Sequence, residues 1–317
     1  MKAVFLDQFS LDQNDLDFSG WYQVFDEVTF FERTDPDQVL ERIADVDVVV
    51  TNKVVITADM MQQRPQLKLI LISATGTNNV DLIQAKAQNI VVCNCQAYGT
   101  AAVAQHTMML MLNLATSFIQ YDRAVRAGEW NKASQFCLLD FPIVELNGKT
   151  LGILGYGELG QAVAKLAEAF GMKVIVAHLP GRPAAADRVS LERLLRQSDF
   201  ISLHCPLTET TRDLIDTEAF SLMKESAYLI NCARGGIVNE QALAEALINR
   251  RIAGAATDVL SIEPPQQGNV LLNSDIPNLI ITPHSAWGSV EARQRIVQQV
   301  QENAAAFKAG QPIRQVN

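Results

Sequence analysis

Between the apolar run Leu151–Leu154 and a helical stripe of Val163, Leu166, Ala167 and Phe170 stands the hexapeptide Gly155-Tyr156-Gly157-Glu158-Leu159-Gly160. A Gly-x-Gly-x-x-Gly spacing alone arises readily by chance, but here a strand pattern feeds into it and a helix pattern, ended by Gly171, leaves it. That context restricts this stretch to a strand-turn-helix unit of the dinucleotide-binding kind. Gly155 permits the tight turn, Gly157 lets backbone approach a pyrophosphate, and Gly160 allows the helix to pack closely on the strand. The helix N-terminus, with Glu158 and Leu159 in its first turn, offers free N–H groups and the positive end of its dipole to phosphates.

The same alternation of short apolar runs and helical patterns extends over the whole chain, as in parallel sheets covered by helices. Before the turn the runs are Ala3–Leu6, Val46–Val50, Leu69–Ile72 and Ile90–Val92, with helical spacing in segments such as Asp35–Ile43. From the strand that enters the turn onward they are Thr150–Leu154, Val174–Ala177, Phe200–Leu203, Tyr228–Ile230, Ala253–Thr257 and Leu279–Ile281, the strand count of a complete dinucleotide-binding sheet. A length of 317 residues suits two domains. An apolar helix is expected from Thr100 to about Ile119, preceded by Gly99. A last helix, Ser289–Ala309, has Ser289 as its cap, a stripe of Val297, Val300, Ala304 and Phe307, and a stop at Gly310 and Pro312. No strand pattern follows it, so it is expected to return to the first unit. The fold class is therefore α/β: two Rossmann-like doubly wound domains with parallel sheets and a cleft between them. Residues 1–98 with 287–317 form a discontinuous substrate-binding lid domain, and residues 99–286 the dinucleotide-binding domain.

A net charge of −9 argues against nucleic acid or an anionic membrane as partner. The N-terminal apolar stretch is too short for a signal peptide and no run reaches membrane-spanning length, so a cytoplasmic protein is expected. The cysteines at 93, 95, 137, 205 and 232 contain no Cys-x-x-Cys pair and indicate neither a disulfide framework nor a metal site. Cys93-Asn94-Cys95 reads as the end of a buried strand. Residues 128–149 lack periodicity yet carry Trp130, Phe136, Leu138, Leu139 and Phe141, which need cover; this excursion is expected to act as the arm of a homodimer.

The acidic residue that binds the adenosine ribose hydroxyls is expected about twenty positions beyond the turn. After Val174–Ala177 that place holds His178, then Leu179-Pro180-Gly181-Arg182, with no carboxylate before Asp187. Without a carboxylate a 2′-phosphate is not repelled, and Arg182 can pair with one. The cofactor is read as NAD or NADP, the balance tipping toward NADP. The alternative makes His178 a surface loop residue and lets NAD bind through other contacts.

Four histidines narrow the choice of proton donor. His106 lies inside the apolar helix, where a structural hydrogen bond is expected. His204 and Cys205 follow the strand Phe200–Leu203, at the carboxyl edge where ligands lie in such sheets, and are expected to line the cofactor. His284, in Thr282-Pro283-His284-Ser285-Ala286-Trp287, follows another strand. Reducing a ketone by hydride needs a proton delivered to the oxygen as charge develops, and histidine suits that task near neutral pH. Glu263, after the preceding strand, can reach the imidazole, and Arg234, after the strand before that, offers a bidentate fork to a carboxylate. The competing reading pairs Arg234 with Glu263 and makes His284 a helix cap.

At these residues the chain resembles the D-isomer-specific 2-hydroxyacid dehydrogenase family over almost its whole length. The glycine turn, Asn231-Cys232-Ala233-Arg234-Gly235-Gly236, the Asp258–Pro264 element and Thr282-Pro283-His284 occur in the family's order and approximate spacing. The resemblance implies an NAD(P)-dependent oxidoreductase interconverting a small 2-oxo acid and a D-2-hydroxy acid. In it His284 is general acid/base, Glu263 its partner, and Arg234 the holder of the substrate's carboxylate and carbonyl. It further implies that Asp258 binds the nicotinamide amide, and that Thr107, Pro206, Thr211, Cys232 and Ala233 line the cofactor. The turn Ser73–Thr77, with Ala74, Thr75 and Gly76 at its centre, offers N–H groups to the substrate carboxylate.

Within the family, Ala97-Tyr98-Gly99-Thr100, Val103–Thr107 and Thr282–Trp287 are similar to the glycerate dehydrogenases, also called hydroxypyruvate reductases. That similarity implies hydroxypyruvate or glyoxylate as 2-oxo acid and D-glycerate or glycolate as product. Many related phosphoglycerate dehydrogenases carry a further C-terminal domain, whereas this sequence stops at Asn317, which disfavours phosphorylated substrates. A dinucleotide-sensing, corepressor-like binding protein of the same fold is the other class; the presence of Arg234, Glu263 and His284 favours the enzyme.

Overall fold

In the computed structural model, which describes residues 1–181 and 186–317, short runs of β-branched and aliphatic residues form strands that pair with one another in parallel. They are β1 (Lys2–Phe5), β2 (Glu27–Phe30), β3 (Val48–Thr51), β4 (Leu69–Ile72), β5 (Val91–Cys93), β6 (Thr150–Leu154), β7 (Lys173–Ala177), β8 (Phe200–Leu203), β9 (Tyr228–Asn231), β10 (Gly254–Thr257) and β11 (Leu279–Ile281). Two compact units divide them: Met1–Gly99 with Gly288–Asn317, and Thr100–Trp287.

The first unit holds a sheet ordered β2-β1-β3-β4-β5. Its strand β2 is absent from the sequence expectation. Glu27-Val28-Thr29-Phe30 is an edge strand with alternately exposed residues, so no apolar run marks it. The helix Val290–Lys308 belongs to this unit and packs on β4. Ser289 caps it by accepting the Ala292 N–H, and its Val297 carbonyl accepts the indole N–H of buried Trp21 at 2.9 Å. Arg293 forks onto Asp15 at 2.7 and 2.6 Å. The chain end adds an antiparallel bridge between Gln315 and Cys93.

In open α/β sheets of this kind a ligand crevice opens where the strand order reverses, here between β1 and β3. That crevice is filled from within. Asp7, two residues after β1, turns its carboxylate onto the N–H groups of Asn52, Lys53 and Val54 beyond β3, at distances from 2.6 to 3.3 Å. Burial raises the Asp7 pKa, and the three amides oppose that shift.

The second sheet, β11-β10-β9-β8-β6-β7, repeats the reversal between β6 and β8. Alternate strand residues feed two cores. Leu151, Ile153, Phe200, Tyr228 and Ile230 face one, shared with the helices Thr100–Thr116 and Glu158–Ala169. Ile201, Leu203, Leu229 and Ala255 face the other, shared with Leu191–Gln197, Thr217–Leu222 and Glu240–Ile248. Helices on both faces make the sheet doubly wound.

The apolar helix expected to reach Ile119 stops at Thr116. Ser117 takes a left-handed backbone (φ 51°) and its hydroxyl donates to the Pro142 carbonyl, so the chain bends by 62° into Phe118–Arg126. Among the described residues no single helix is long and apolar enough to cross a membrane. The stretch after Gly128 is irregular apart from the short helix Glu129–Lys132, and leaves Trp130, Phe136 and Leu139 exposed. Phe141 is tied down by the Tyr121 hydroxyl, which bonds to its carbonyl and amide.

Candidate active site

Register places Leu154 of β6 opposite Leu203 of β8, so the glycine turn and the segment His204-Cys205 leave the sheet side by side. Gly155 has φ +95°, and a Cβ there would lie 2.6 Å from the Cys205 nitrogen; glycine is required on both counts. Gly160 packs against the Gly155 carbonyl. Gly157 is different. It is the N-cap of the helix Glu158–Ala169; among the described residues no side chain caps that helix, and a Cβ on Gly157 would meet no atom within 4 Å. Open space before an uncapped helix N-terminus fits a pyrophosphate. The Glu158 carboxylate accepts the Thr100 hydroxyl at 2.8 Å, and Leu159 packs on the core. The residues present therefore fit a dinucleotide, whereas the equivalent crevice of the first unit holds the Asp7 carboxylate.

At the end of β7 the half-buried His178 donates its backbone N–H to Val189. Arg182 lies outside the described residues. A cation that sequence reasoning missed stands nearby: the Arg188 guanidinium lies over the Tyr156 ring, 4.6 Å from its centroid, at the rim of the glycine turn. No linear pattern marks it, because the contact joins residues 32 positions apart by number (188 − 156).

Several expected lining residues turn inward. Thr107 is fully buried and its hydroxyl donates to the Val103 carbonyl, so it has no surface to give a cofactor. The cause is the burial of the helix Thr100–Thr116 on most sides. His204 meets the turn through its backbone; its ring binds Ser202 Oγ through Nε2 at 2.8 Å, and its Nδ1 is buried with no partner among the described residues. Burial pushes the His204 pKa down to about 4, which leaves the ring neutral at pH 7. Burial likewise pushes the Cys205 thiol up to about 11 and the Cys232 thiol up to about 12. The Thr211 hydroxyl donates to the Pro206 carbonyl at 2.7 Å and closes the loop after β8.

The ends of β9, β10 and β11 are cross-linked. Asn231 bridges its own turn, accepting the Ala233 N–H and donating to the Arg234 carbonyl. Arg234 is exposed, donates to the Ala233 carbonyl at 2.7 Å and makes no ion pair among the described residues. Gly235 lies so close to the Leu260 carbonyl that no Cβ fits. The Leu260 N–H donates to Glu263 Oε1 at 2.8 Å, and Glu263 Oε2 stands 2.5 Å from His284 Nδ1. Glu263 thus pairs with the histidine, and among the described residues His284 caps no helix.

His284 has φ +52°, a left-handed conformation uncommon for a residue with a Cβ. Asp258 maintains it. Its carbonyl accepts the His284 N–H at 2.8 Å, and its carboxylate accepts Thr282 Oγ1, Ser285 N and Ala286 N at 2.5, 3.0 and 2.9 Å. Asp258 was expected at a nicotinamide amide; it is 2% exposed and its carboxylate organises the histidine turn. His106 Nε2 lies 3.0 Å from Thr282 Oγ1, the structural bond expected for that residue.

In the first unit, Thr75 donates its hydroxyl to the Cys95 carbonyl and accepts the Asn94 side chain on its own carbonyl. The Ala74 carbonyl accepts the Cys95 N–H. Thr75 and Gly76 are exposed, and their amides donate to no acceptor among the described residues.

A doubly wound sheet with a glycine cradle after β6 and, along the same carboxyl edge, a carboxylate-bound histidine after β11 defines a nicotinamide-dependent oxidoreductase. Residues 108–286 match the family model described as D-isomer specific 2-hydroxyacid dehydrogenase, NAD binding domain. The chain is 45% identical over 312 residues to a glycerate dehydrogenase of Methylorubrum extorquens, covering 98% of this chain and 97% of that one. It is 37% identical to a hydroxypyruvate reductase of Blautia hydrogenotrophica, covering 100% of each. Among solved structures, an acyclic imino acid reductase in complex with NADPH and D-Arg matches with a TM-score of 0.83 and 30% identity, covering 100% of both chains. The chain belongs to the D-isomer specific 2-hydroxyacid dehydrogenase family. It is an NAD(P)-dependent oxidoreductase that interconverts 2-oxo and 2-hydroxy acids.

Proposed function

We propose that the chain reduces hydroxypyruvate or glyoxylate to D-glycerate or glycolate, and runs the reverse oxidation, with His284 as general acid/base. The Glu263–His284 pair carries this reading. With Nδ1 held by the carboxylate, Nε2 is the nitrogen left to exchange a proton with the substrate oxygen. The nicotinamide cofactor, when bound, supplies or accepts the hydride. In reduction His284 gives a proton to the carbonyl oxygen as charge develops there, and Glu263 stabilises the imidazolium beforehand. Arg234, exposed and without an acidic partner among the described residues, holds the substrate carboxylate and polarises the carbonyl. The turn at Ala74, Thr75 and Gly76, with its uncommitted amides, is a carboxylate-binding element of the first unit.

The names of the two relatives support a short 2-oxo acid as substrate. His178 in place of an acid, with Arg182 after it and Arg188 over Tyr156, supports NADP over NAD. Exposed Trp130, Phe136 and Leu139 support a homodimer, which a monomeric mass by light scattering would contradict. Five free cysteines support a reducing, cytoplasmic compartment. A dinucleotide-sensing corepressor role leaves the Glu263–His284 pair without a task. The deciding assay follows absorbance loss of NADH or NADPH with hydroxypyruvate, glyoxylate, pyruvate and phosphohydroxypyruvate. Fastest turnover with hydroxypyruvate or glyoxylate is expected; no turnover with any pair sinks the enzyme.

A further inference from the structure

His284 stands on a left-handed backbone that its own Cβ disfavours, so its aim depends on what restrains the turn. The restraint is the Asp258 carboxylate, and one of its three donors, the Thr282 hydroxyl, rotates about a single bond. His106 stops that rotation. Thr282 Oγ1 has one proton and gives it to Asp258 Oδ1. Toward His106 Nε2, 3.0 Å away, it is therefore the acceptor, and Nε2 carries the proton. The same nitrogen lies 3.6 Å from Asp258 Oδ1, beyond hydrogen-bond distance, so its N–H reaches the carboxylate only through the hydroxyl. The helix Thr100–Thr116 is a fixed frame: Val103, Thr107 and Leu110, which surround His106 on it, are buried. Donation thus runs in one chain from the His106 N–H through the Thr282 hydroxyl to Asp258 Oδ1, which also receives Ser285 N, while Oδ2 receives Ala286 N.

We infer that His106 is a positioning residue that sets the orientation of the His284 imidazole through Thr282 and Asp258 without touching substrate. The inference rests on the proposed role of His284 as general acid/base. It predicts a defect in turnover without a defect in cofactor binding.

The test compares His106→Leu, which removes the donor, His106→Gln, which keeps an N–H, Thr282→Val, which removes the relay, the Leu/Val double variant, and His284→Asn. Each full-length protein is assayed with hydroxypyruvate and NADPH, and dinucleotide Kd is measured by calorimetry. His106→Leu and Thr282→Val should each lower kcat about tenfold, with Kd unchanged within about twofold. His106→Gln should recover kcat to within about threefold, and the double variant should be no slower than Thr282→Val alone, because both changes cut one chain. Should His106→Leu fail to fold, Thr282→Val and His106→Gln decide. Wild-type kcat in Thr282→Val, no recovery in His106→Gln, or fully multiplicative losses in the double variant would overturn the inference. Normal turnover in His284→Asn overturns the proposed function itself. Lost turnover there, with His106→Leu unaffected, overturns only the positioning role.

Discussion

Glu263 grips His284 from a fixed position: one carboxylate oxygen takes the Leu260 amide at 2.8 Å while the other stands 2.5 Å from Nδ1 of the imidazole. The ring is thereby oriented from one side, and its charged form has a partner in place before any proton moves.

Glu263→Gln keeps the shape of that contact and removes its charge. We expect kcat to fall about 10- to 100-fold while KM for the 2-oxo acid changes little, because the imidazolium loses its counter-ion and substrate contacts are untouched. Steady-state kinetics decide; a raised KM at wild-type kcat would assign Glu263 to substrate binding.

Two glycines of one turn should respond in opposite ways. Gly155→Ala forces a Cβ to within 2.6 Å of backbone at positive φ and should destabilise the fold by about 2 kcal/mol or more. Gly157→Ala meets only open space, so its thermal midpoint should stay near wild type while dinucleotide affinity drops. Unfolding scans beside calorimetric titration separate the two; unaltered affinity in Gly157→Ala would remove the pyrophosphate from this turn.

Acid should weaken the second unit through His204. Its folded pKa of about 4 lies below the unfolded value near 6.5, so between these pH values the unfolded chain binds a proton that the folded chain refuses. The contribution is complete above pH 6.5 and is lost as pH falls toward 4, amounting to up to about 3 kcal/mol. His204→Gln should flatten that slope in denaturant titrations at pH 7, 5.5 and 4.5. Parallel slopes for variant and wild type would contradict the assignment.

Asp7→Ala should destabilise the first unit by about 2–4 kcal/mol, since it leaves the amides of Asn52, Lys53 and Val54 without their acceptor. Hydrogen exchange at those amides reads the effect locally. Unchanged protection there would show that the crevice is held by other contacts.

Legibility in the sequence followed burial. Strands β4 and β8 match their apolar runs to the residue because strands covered on both faces read as continuous apolar stretches. Edge strand β2 alternates and left no such run. The bend at Ser117 rests on a hydroxyl bonded to Pro142, 25 residues away, and Phe118-Ile119 beyond it continue the apolar composition of the helix before it. The nearness of Glu263 to His284 was legible because consecutive parallel strands deliver their following loops to one edge. What Thr107 and Asp258 bond to was not. Each is a polar residue in a buried place whose partner is set by the fold around it: Thr107 turns onto its own helix while Asp258 gathers the 282–286 turn.

The proposed reaction turns on His284 as the group that moves the proton. His284→Asn tests it most directly, because asparagine tolerates the left-handed backbone at this position yet cannot act as the acid. With NADPH and hydroxypyruvate at saturation, kcat should fall by about 10²-fold or more while dinucleotide Kd stays within about twofold of wild type. A variant that turns over within a few-fold of wild type would contradict the account.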